Sequence, residues 1–195
     1  MYLQINAAKF SEKTSDCRGD HSVAFLGSWV PQGNVTGVRL TIYKHLGGVA
    51  PCLTPATKTD DGMDFIRKFN VLWTLVGNLI RSKYPKLAEQ YQRIPEEHRK
   101  LDLFSLLIVN LTMGTKFHTD NKDYRNGFCV VFPFGEYEGG ELHFPEYNLT
   151  ICLRPGDVIL FQSHQLQHGN LELKSGKRRS CVLVCHNDLM NRSME

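Results

Sequence analysis

Apolar positions follow a helical period in one stretch of the chain and strand periods in most of the rest. Phe65, Ile66, Phe69, Leu72, Trp73, Val76, Leu79 and Ile80 recur three and four apart, the spacing of a single helix face. One helix is expected over residues 63–84, capped by Asp60 or Asp61, with the aromatic stripe turned to the core. Pro85 opens a second helix over 86–93, with Leu87 and Tyr91 inward. The polar stretch 95–100 reads as a solvated turn with His98 exposed. The pattern then changes. Residues 103–111 are almost continuously apolar, as in a strand covered on both faces. Short apolar runs at 127–134, 141–144, 149–153, 158–162 and 180–185 are separated by Gly, Pro and Asn, the punctuation of an antiparallel sandwich or roll. Earlier, 22–26 and 38–43 read as short strands, and 46–55 as a loop. The fold class expected is α+β, mainly β, with helices buttressing a β-roll.

Length and composition restrict this picture without redirecting it. At 195 residues, 42% hydrophobic and 22% charged, the chain suits one domain with a sizeable core. The division expected is 1–60 as N-terminal strands and loops, 61–94 as supporting helices and 100–188 as the β core. A net charge of +3 is too small to argue for nucleic-acid binding by itself. The six cysteines form no Cys-x-x-Cys pair, and Cys129, Cys152, Cys181 and Cys185 sit in apolar runs, where reduced Cys acts as a small hydrophobe. A reducing, intracellular compartment is expected. Residues 1–10 lack the basic start and apolar stretch of a signal peptide. No run of about 18 apolar residues suggests a membrane span.

Chemistry concentrates between Phe117 and His186. His118-Thr-Asp120 lies between two expected strands, Gln167-His168 fifty residues on, and Arg178-Arg-Ser180 at the start of the last one. Two imidazoles and one carboxylate on one face of an iron(II) ion leave positions open for a co-substrate and oxygen. His118, Asp120 and His168 are therefore the candidate catalytic and metal ligands. His164 is the rival to His168, which is preferred because its spacing to Arg178 suits one hairpin with Gly176 near the turn. His164 is expected to hydrogen-bond locally, and His143 to be a bystander. A second His-x-Asp, His186-Asn-Asp188, has no downstream histidine and is discounted. Arg178 and Ser180 share a strand face and could hold the far carboxylate of a dicarboxylate through the arginine fork. Arg179 would then point to the surface or the substrate. A one-residue slip in register exchanges the two arginines.

Several motifs together carry a family resemblance: His118-Thr-Asp-Asn-Lys-Asp-Tyr-Arg-Asn-Gly, Phe134-Gly-Glu-Tyr-Glu-Gly-Gly-Glu-Leu, Arg154-Pro-Gly-Asp-Val-Ile, Gln167-His-Gly-Asn and Arg178-x-Ser. Over residues 100–188 the chain resembles the iron(II)/2-oxoglutarate dioxygenases of the TET/J-binding-protein branch, especially its small fungal members. The resemblance implies a double-stranded β-helix (jelly roll, cupin-like). It implies Fe(II) held by His118, Asp120 and His168, 2-oxoglutarate held by Arg178 with Ser180, and O2 as co-substrate. The implied reaction oxidises a methyl group on a nucleic-acid base, 5-methylcytosine or N6-methyladenine. DNA is the implied partner, with RNA second, and the nucleus the implied location. Asp123 occupies the position that touches a flipped base in this branch. A carboxylate there accepts from cytosine N4 or adenine N6 and leans away from thymine. Tyr124 and Phe117 are candidate stacking partners, and Lys122, Arg125, Lys174, Lys177 and Arg179 candidate phosphate contacts. Two rivals stand beside this: a protein hydroxylase of the prolyl type with the same metal site, and a non-catalytic β-roll binding module.

Overall fold

The structure is a computed structural model, in which residues 12–16, 19–30, 50–112 and 116–192 are described. The expected strand 38–43 lies outside them. In chain order the elements are β1 (Glu12–Asp16), β2 (Gly19–Trp29), β3 (Cys52–Leu53), α1 (Asp60–Lys68), α2 (Asn70–Lys83) and α3 (Pro85–Gln92). After these come β4 (Leu106–Asn110), β5 (Cys129–Gly139), β6 (Leu142–Phe144), β7 (Leu149–Ile151), β8 (Ile159–Phe161), β9 (Gly169–Asn170), β10 (Leu173–Val184) and α4 (Asn187–Arg192). One sheet runs β1-β2-β4-β10-β5-β8, with β3 paired to β2. A second sheet runs β7-β6-β9. The architecture is a double-stranded β-helix buttressed by helices.

The apolar run at 103–111 now has its physical reason. Leu107 and Val109 of β4 pack with Ala24, Val130, Cys181 and Leu183 beneath the helices, against Ile66, Trp73, Ile80 and Tyr91. Leu106 and Ile108 turn the other way, into the inside of the roll with Val131, Phe161, Val182 and the β6 residues Leu142 and Phe144. A strand pairing on both edges and covered on both faces has no polar position to offer. The same alternation holds along β10, where Cys181 and Leu183 face the helices and Val182 faces the roll.

The single helix expected over 63–84 is two. The chain turns at Phe69 (φ −103°, ψ 13°), and the Trp73 indole donates to Ile66 O at 3.1 Å, satisfying a carbonyl near the break. A period-based reading cannot see this, because the apolar stripe continues through it. The cap also differs. Thr59 Oγ1 accepts from Gly62 N at 3.1 Å, while Asp60 and Asp61 sit in the first turn, where their charge favours the helix N-terminus. Pro85 opens α3 as expected. Three further differences are local. His98 is half-buried, its Nδ1 3.3 Å from Ser28 Oγ. Cys152 is exposed rather than packed in an apolar run. The segment 103–105 precedes β4 rather than belonging to it.

The last strand is much longer than residues 180–185. Its first half is polar, and it pairs with the polar end of β5: Lys177 faces Glu136, and Ser175 faces Glu138. Cross-strand pairs of this kind hold a two-stranded ribbon without apolar patterning. Gly176 is therefore inside β10, at φ +80°, rather than at a turn. On β5, Gly135 stands opposite Arg178 at φ +112°, and a Cβ there would lie 2.2 Å from Lys177 O. Gly135→Ala is expected to cost about 2 kcal/mol through backbone strain, a fall in Tm of about 5 °C at this chain length. Calorimetry of the variant measures it directly.

Candidate metal and co-substrate site

The loop between β4 and β5 carries the first two donors, and backbone hydrogen bonds pin it on two sides. His118 and His168 exchange N–H···O=C bonds of 2.9 Å each, and Asp120 N donates to Ser163 O at 3.0 Å. On the other side Asp123 bridges to His186, Tyr124 N donates to Cys185 O at 2.8 Å, and Asn187 N donates to Lys122 O at 2.7 Å. A polar turn that would otherwise be mobile is thereby held against two separate parts of the fold. The Tyr91 hydroxyl accepts from Phe128 N at 2.9 Å, tying the end of the loop to α3.

This pinning brings together residues fifty apart in sequence. Asp120 Oδ1 lies 3.5 Å from His118 Nε2, and Oδ2 lies 3.5 Å from His168 Nε2. One ligand atom from each residue falls within 4.8 Å of the others. His118 Nδ1 is 2.7 Å from Lys116 O and His168 Nδ1 is 2.9 Å from Leu166 O. A carbonyl can only accept, so both Nδ1 atoms carry protons, and each neutral ring presents its Nε2 lone pair to the carboxylate. Three electron-rich groups facing one another require protons or a cation between them. Burial pushes the Asp120 carboxyl up, whereas protons on the two Nε2 atoms would outweigh it and hold the carboxyl well below the usual carboxylate range; a metal cation serves the same purpose with both rings neutral. The donor set and its supporting carbonyls fit a divalent metal of the iron(II) class.

Arg178 and Ser180 enter the same cleft from β10, both 5% exposed. The register settles which arginine does so. Arg178 pairs with Gly135 and projects into the roll, whereas Arg179 pairs with Phe134, which packs on the helix-side core. Arg179 therefore does not reach the cleft, contrary to its assignment as a substrate contact. The Arg178 guanidinium lies 5.6 Å from the Tyr137 ring centroid, and its Nε is buried without a hydrogen-bond partner. Burial pushes its pKa down, with Tyr137 acting in the opposite direction. A buried, incompletely bonded guanidinium lining an open cleft is shaped for a carboxylate. Asn110 Nδ2 donates to Ser180 Oγ at 3.1 Å, leaving the serine proton available to an acceptor.

Asp123 lines the cleft. Tyr124, its neighbour, does not. Its ring packs toward Tyr91 on the helix side and its hydroxyl donates to Gln90 Oε1 at 3.3 Å, because alternate residues of the pinned loop face opposite ways. Phe117 is 45% exposed with its ring 5.6 Å from His143, outside the cleft. His143 bonds Thr150 Oγ1 at 2.8 Å. The local bond expected of His164 is not made at Nδ1, which is buried without a partner, and the residue does not line the cleft. Asn110, Asn170, Tyr137 and Ser163 also shape the site; Tyr137 and Asn170 lie inside motifs quoted above without being singled out there, and Asn110 and Ser163 lie in none. Asn110 stands directly opposite Ser180 in the β4–β10 ladder, a pairing that appears only once the strands are in register.

A double-stranded β-helix whose mouth gathers two imidazoles and a carboxylate, with a buried arginine deeper in, has the architecture of a non-haem iron(II) oxygenase. Residues 50–187 match the family model Tet_JBP, the oxygenase domain of the 2OGFeDO superfamily, and the chain belongs to that family. It is 35% identical over 145 residues to the thymine dioxygenase JBP1 of Crithidia fasciculata, covering 68% of this chain and 18% of that protein. To JBP1 of Trypanosoma brucei brucei it is 41% identical over 86 residues, 40% of this chain and 10% of that protein. The chain thus spans less than a fifth of these curated relatives. Among solved structures it superposes on NgTET1 in complex with 5mC DNA with a TM-score of 0.66. That match covers 84% of this chain and 60% of that one at 16% identity, a shared fold.

Proposed function

We propose that this chain is a 2-oxoglutarate- and iron(II)-dependent dioxygenase oxidising the methyl group of a modified DNA base, 5-methylcytosine or N6-methyladenine. The observation that carries the reading is the convergence of His118, Asp120 and His168 beside a buried Arg178 whose Nε lacks a partner. JBP1, a thymine dioxygenase, and NgTET1, solved with 5mC DNA, support a base methyl group as the substrate class, and the choice of an amine-bearing base rests on Asp123 in the cleft. When bound, iron and 2-oxoglutarate supply the oxidising chemistry, drawn from dioxygen. The chain's own residues do the rest. His118, Asp120 and His168 hold the metal, their Nδ1 bonds to Lys116 O and Leu166 O fixing the rings. Arg178 and Ser180 hold the distal carboxylate of the co-substrate. Phe161, whose ring lies 4.8 Å from that of His168, and Phe144 behind it keep water from the apolar side.

Asp123 accepts from the exocyclic amine of a base turned out of the duplex, an extrusion costing a few kcal/mol. Exposed Lys122 and Arg125 flank the donor loop, and exposed Lys174 and Lys177 stand on the outer half of β10. These meet phosphates, and with a net charge of only +3 binding is modest and salt-sensitive. We read the residues as one catalytic domain, and a DNA substrate is the support for a nuclear location. Succinate production by the iron-loaded protein tests the reading, using oligonucleotides with 5-methylcytosine, N6-methyladenine or no modification. Stimulation by one methylated oligonucleotide, lost in His118→Ala, is expected. Turnover indifferent to DNA would move the substrate to a protein or small molecule, and no iron binding would leave a non-catalytic module.

A further inference from the structure

Ser163 is 1% exposed and lies behind the cleft wall, just after β8. Its hydroxyl donates to Asp123 Oδ2 at 2.5 Å, across forty residues of chain. The same residue's carbonyl accepts from Asp120 N at 3.0 Å, so Ser163 sets the distance between the metal-ligand position and Asp123. A serine hydroxyl has a single proton, and here it is committed to Asp123 Oδ2, so the carboxylate is held from behind by a donor and meets the cleft as an acceptor.

We propose that Ser163 is a positioning residue for substrate selection, fixing the Asp123 carboxylate as an acceptor so that a base presenting an exocyclic amine is favoured over one presenting a carbonyl there. The inference rests on the dioxygenase reading and on Asp123 as the base contact. It is a matter of orientation. A carboxylate anchored through one oxygen presents a defined plane to the cleft, whereas an unanchored one turns about its own bond and discriminates less.

The test compares wild type, Ser163→Ala, Ser163→Cys, Asp123→Ala and the Asp123→Ala/Ser163→Ala double variant. Two readouts are taken on oligonucleotides with 5-methylcytosine or thymine at one mismatched position. They are kcat/KM of the iron-loaded protein, and dissociation constants of the metal-free protein by fluorescence anisotropy. The rise in Tm on adding manganese(II) and 2-oxoglutarate reports that each variant is folded, and the near-isosteric Ser163→Cys covers the case in which alanine is not tolerated. Loss of a hydrogen bond to a charged group predicts that preference for the amine-bearing base falls about tenfold in both Ser163 variants. In the Asp123→Ala background, Ser163→Ala adds nothing further, which a merely structural role would not produce. Unchanged preference in both Ser163 variants, with preference lost in Asp123→Ala, overturns the inference alone. Unchanged preference in Asp123→Ala overturns the Asp123 assignment and the inference with it. Absence of turnover on every base sinks the dioxygenase reading, and the anisotropy ratio still decides whether Ser163 governs base preference.

Discussion

Asp120→Ala is expected to abolish iron binding and turnover while leaving the chain folded. The carboxylate is the one anionic donor of the three, and it stands 3.5 Å from each imidazole Nε2. Changing a residue that merely supports a metal ligand costs about 10–100-fold in affinity, so deleting the ligand itself exceeds that range. The loop should survive, because its backbone bonds to Ser163 O and to the His168 backbone do not involve the side chain. Equilibrium dialysis against iron(II) under anaerobic conditions, beside circular dichroism, separates the two effects. Retained iron with lost turnover would assign Asp120 a role other than ligation.

The second large effect falls on Arg178. Arg178→Lys keeps the charge and removes the fork, and is expected to raise the KM for 2-oxoglutarate by about a hundredfold, as two charge-assisted hydrogen bonds are weakened. A binding contact made equally in ground and transition states leaves kcat little changed. Arg178→Met separates binding from stability. The guanidinium is buried with Nε unpartnered, and replacing a buried, poorly paired charge with an apolar side chain is commonly neutral or stabilising by about 1–4 kcal/mol. The methionine variant should therefore melt no lower than wild type without co-substrate, yet gain nothing when 2-oxoglutarate is added. A Tm that falls sharply would mean that Arg178 is already well bonded.

What the sequence made legible, and what it hid, follows from the range of each interaction. The strand character of β4, the alternation along β10 and the helix started by Pro85 are local periodicities, read directly. The convergence of His118, Asp120 and His168 was legible because few other roles fit a His-x-Asp, a distant His and an Arg-x-Ser together, and the ladder then set Arg178 rather than Arg179 in the cleft. Interactions between distant residues stayed hidden. The break at Phe69 depends on an indole reaching back seven residues. The early start of β10 depends on Glu136 and Glu138 being there to meet its polar half. Tyr124 looked like a stacking residue until the bridge between Asp123 and His186 fixed which way it turns. Ser163 is one serine among many until the fold sets it against Asp123.

The two-sided pinning of the donor loop also orders events in time. His118 and Asp120 are held by His168 and Ser163, and the far side of their loop by Cys185, His186 and Asn187. Arg178 reaches the cleft only when β10 inserts between β4 and β5, the two strands it pairs with. A ribosome emitting this chain has made the His-x-Asp motif long before any of those partners exists. The growing polypeptide therefore offers iron at most one imidazole and one carboxylate on a polar turn, a weak and open chelate. The three groups that would hold a metal come together only in the finished β-helix, so on the proposed function tight metal loading would follow the closing of the last strand.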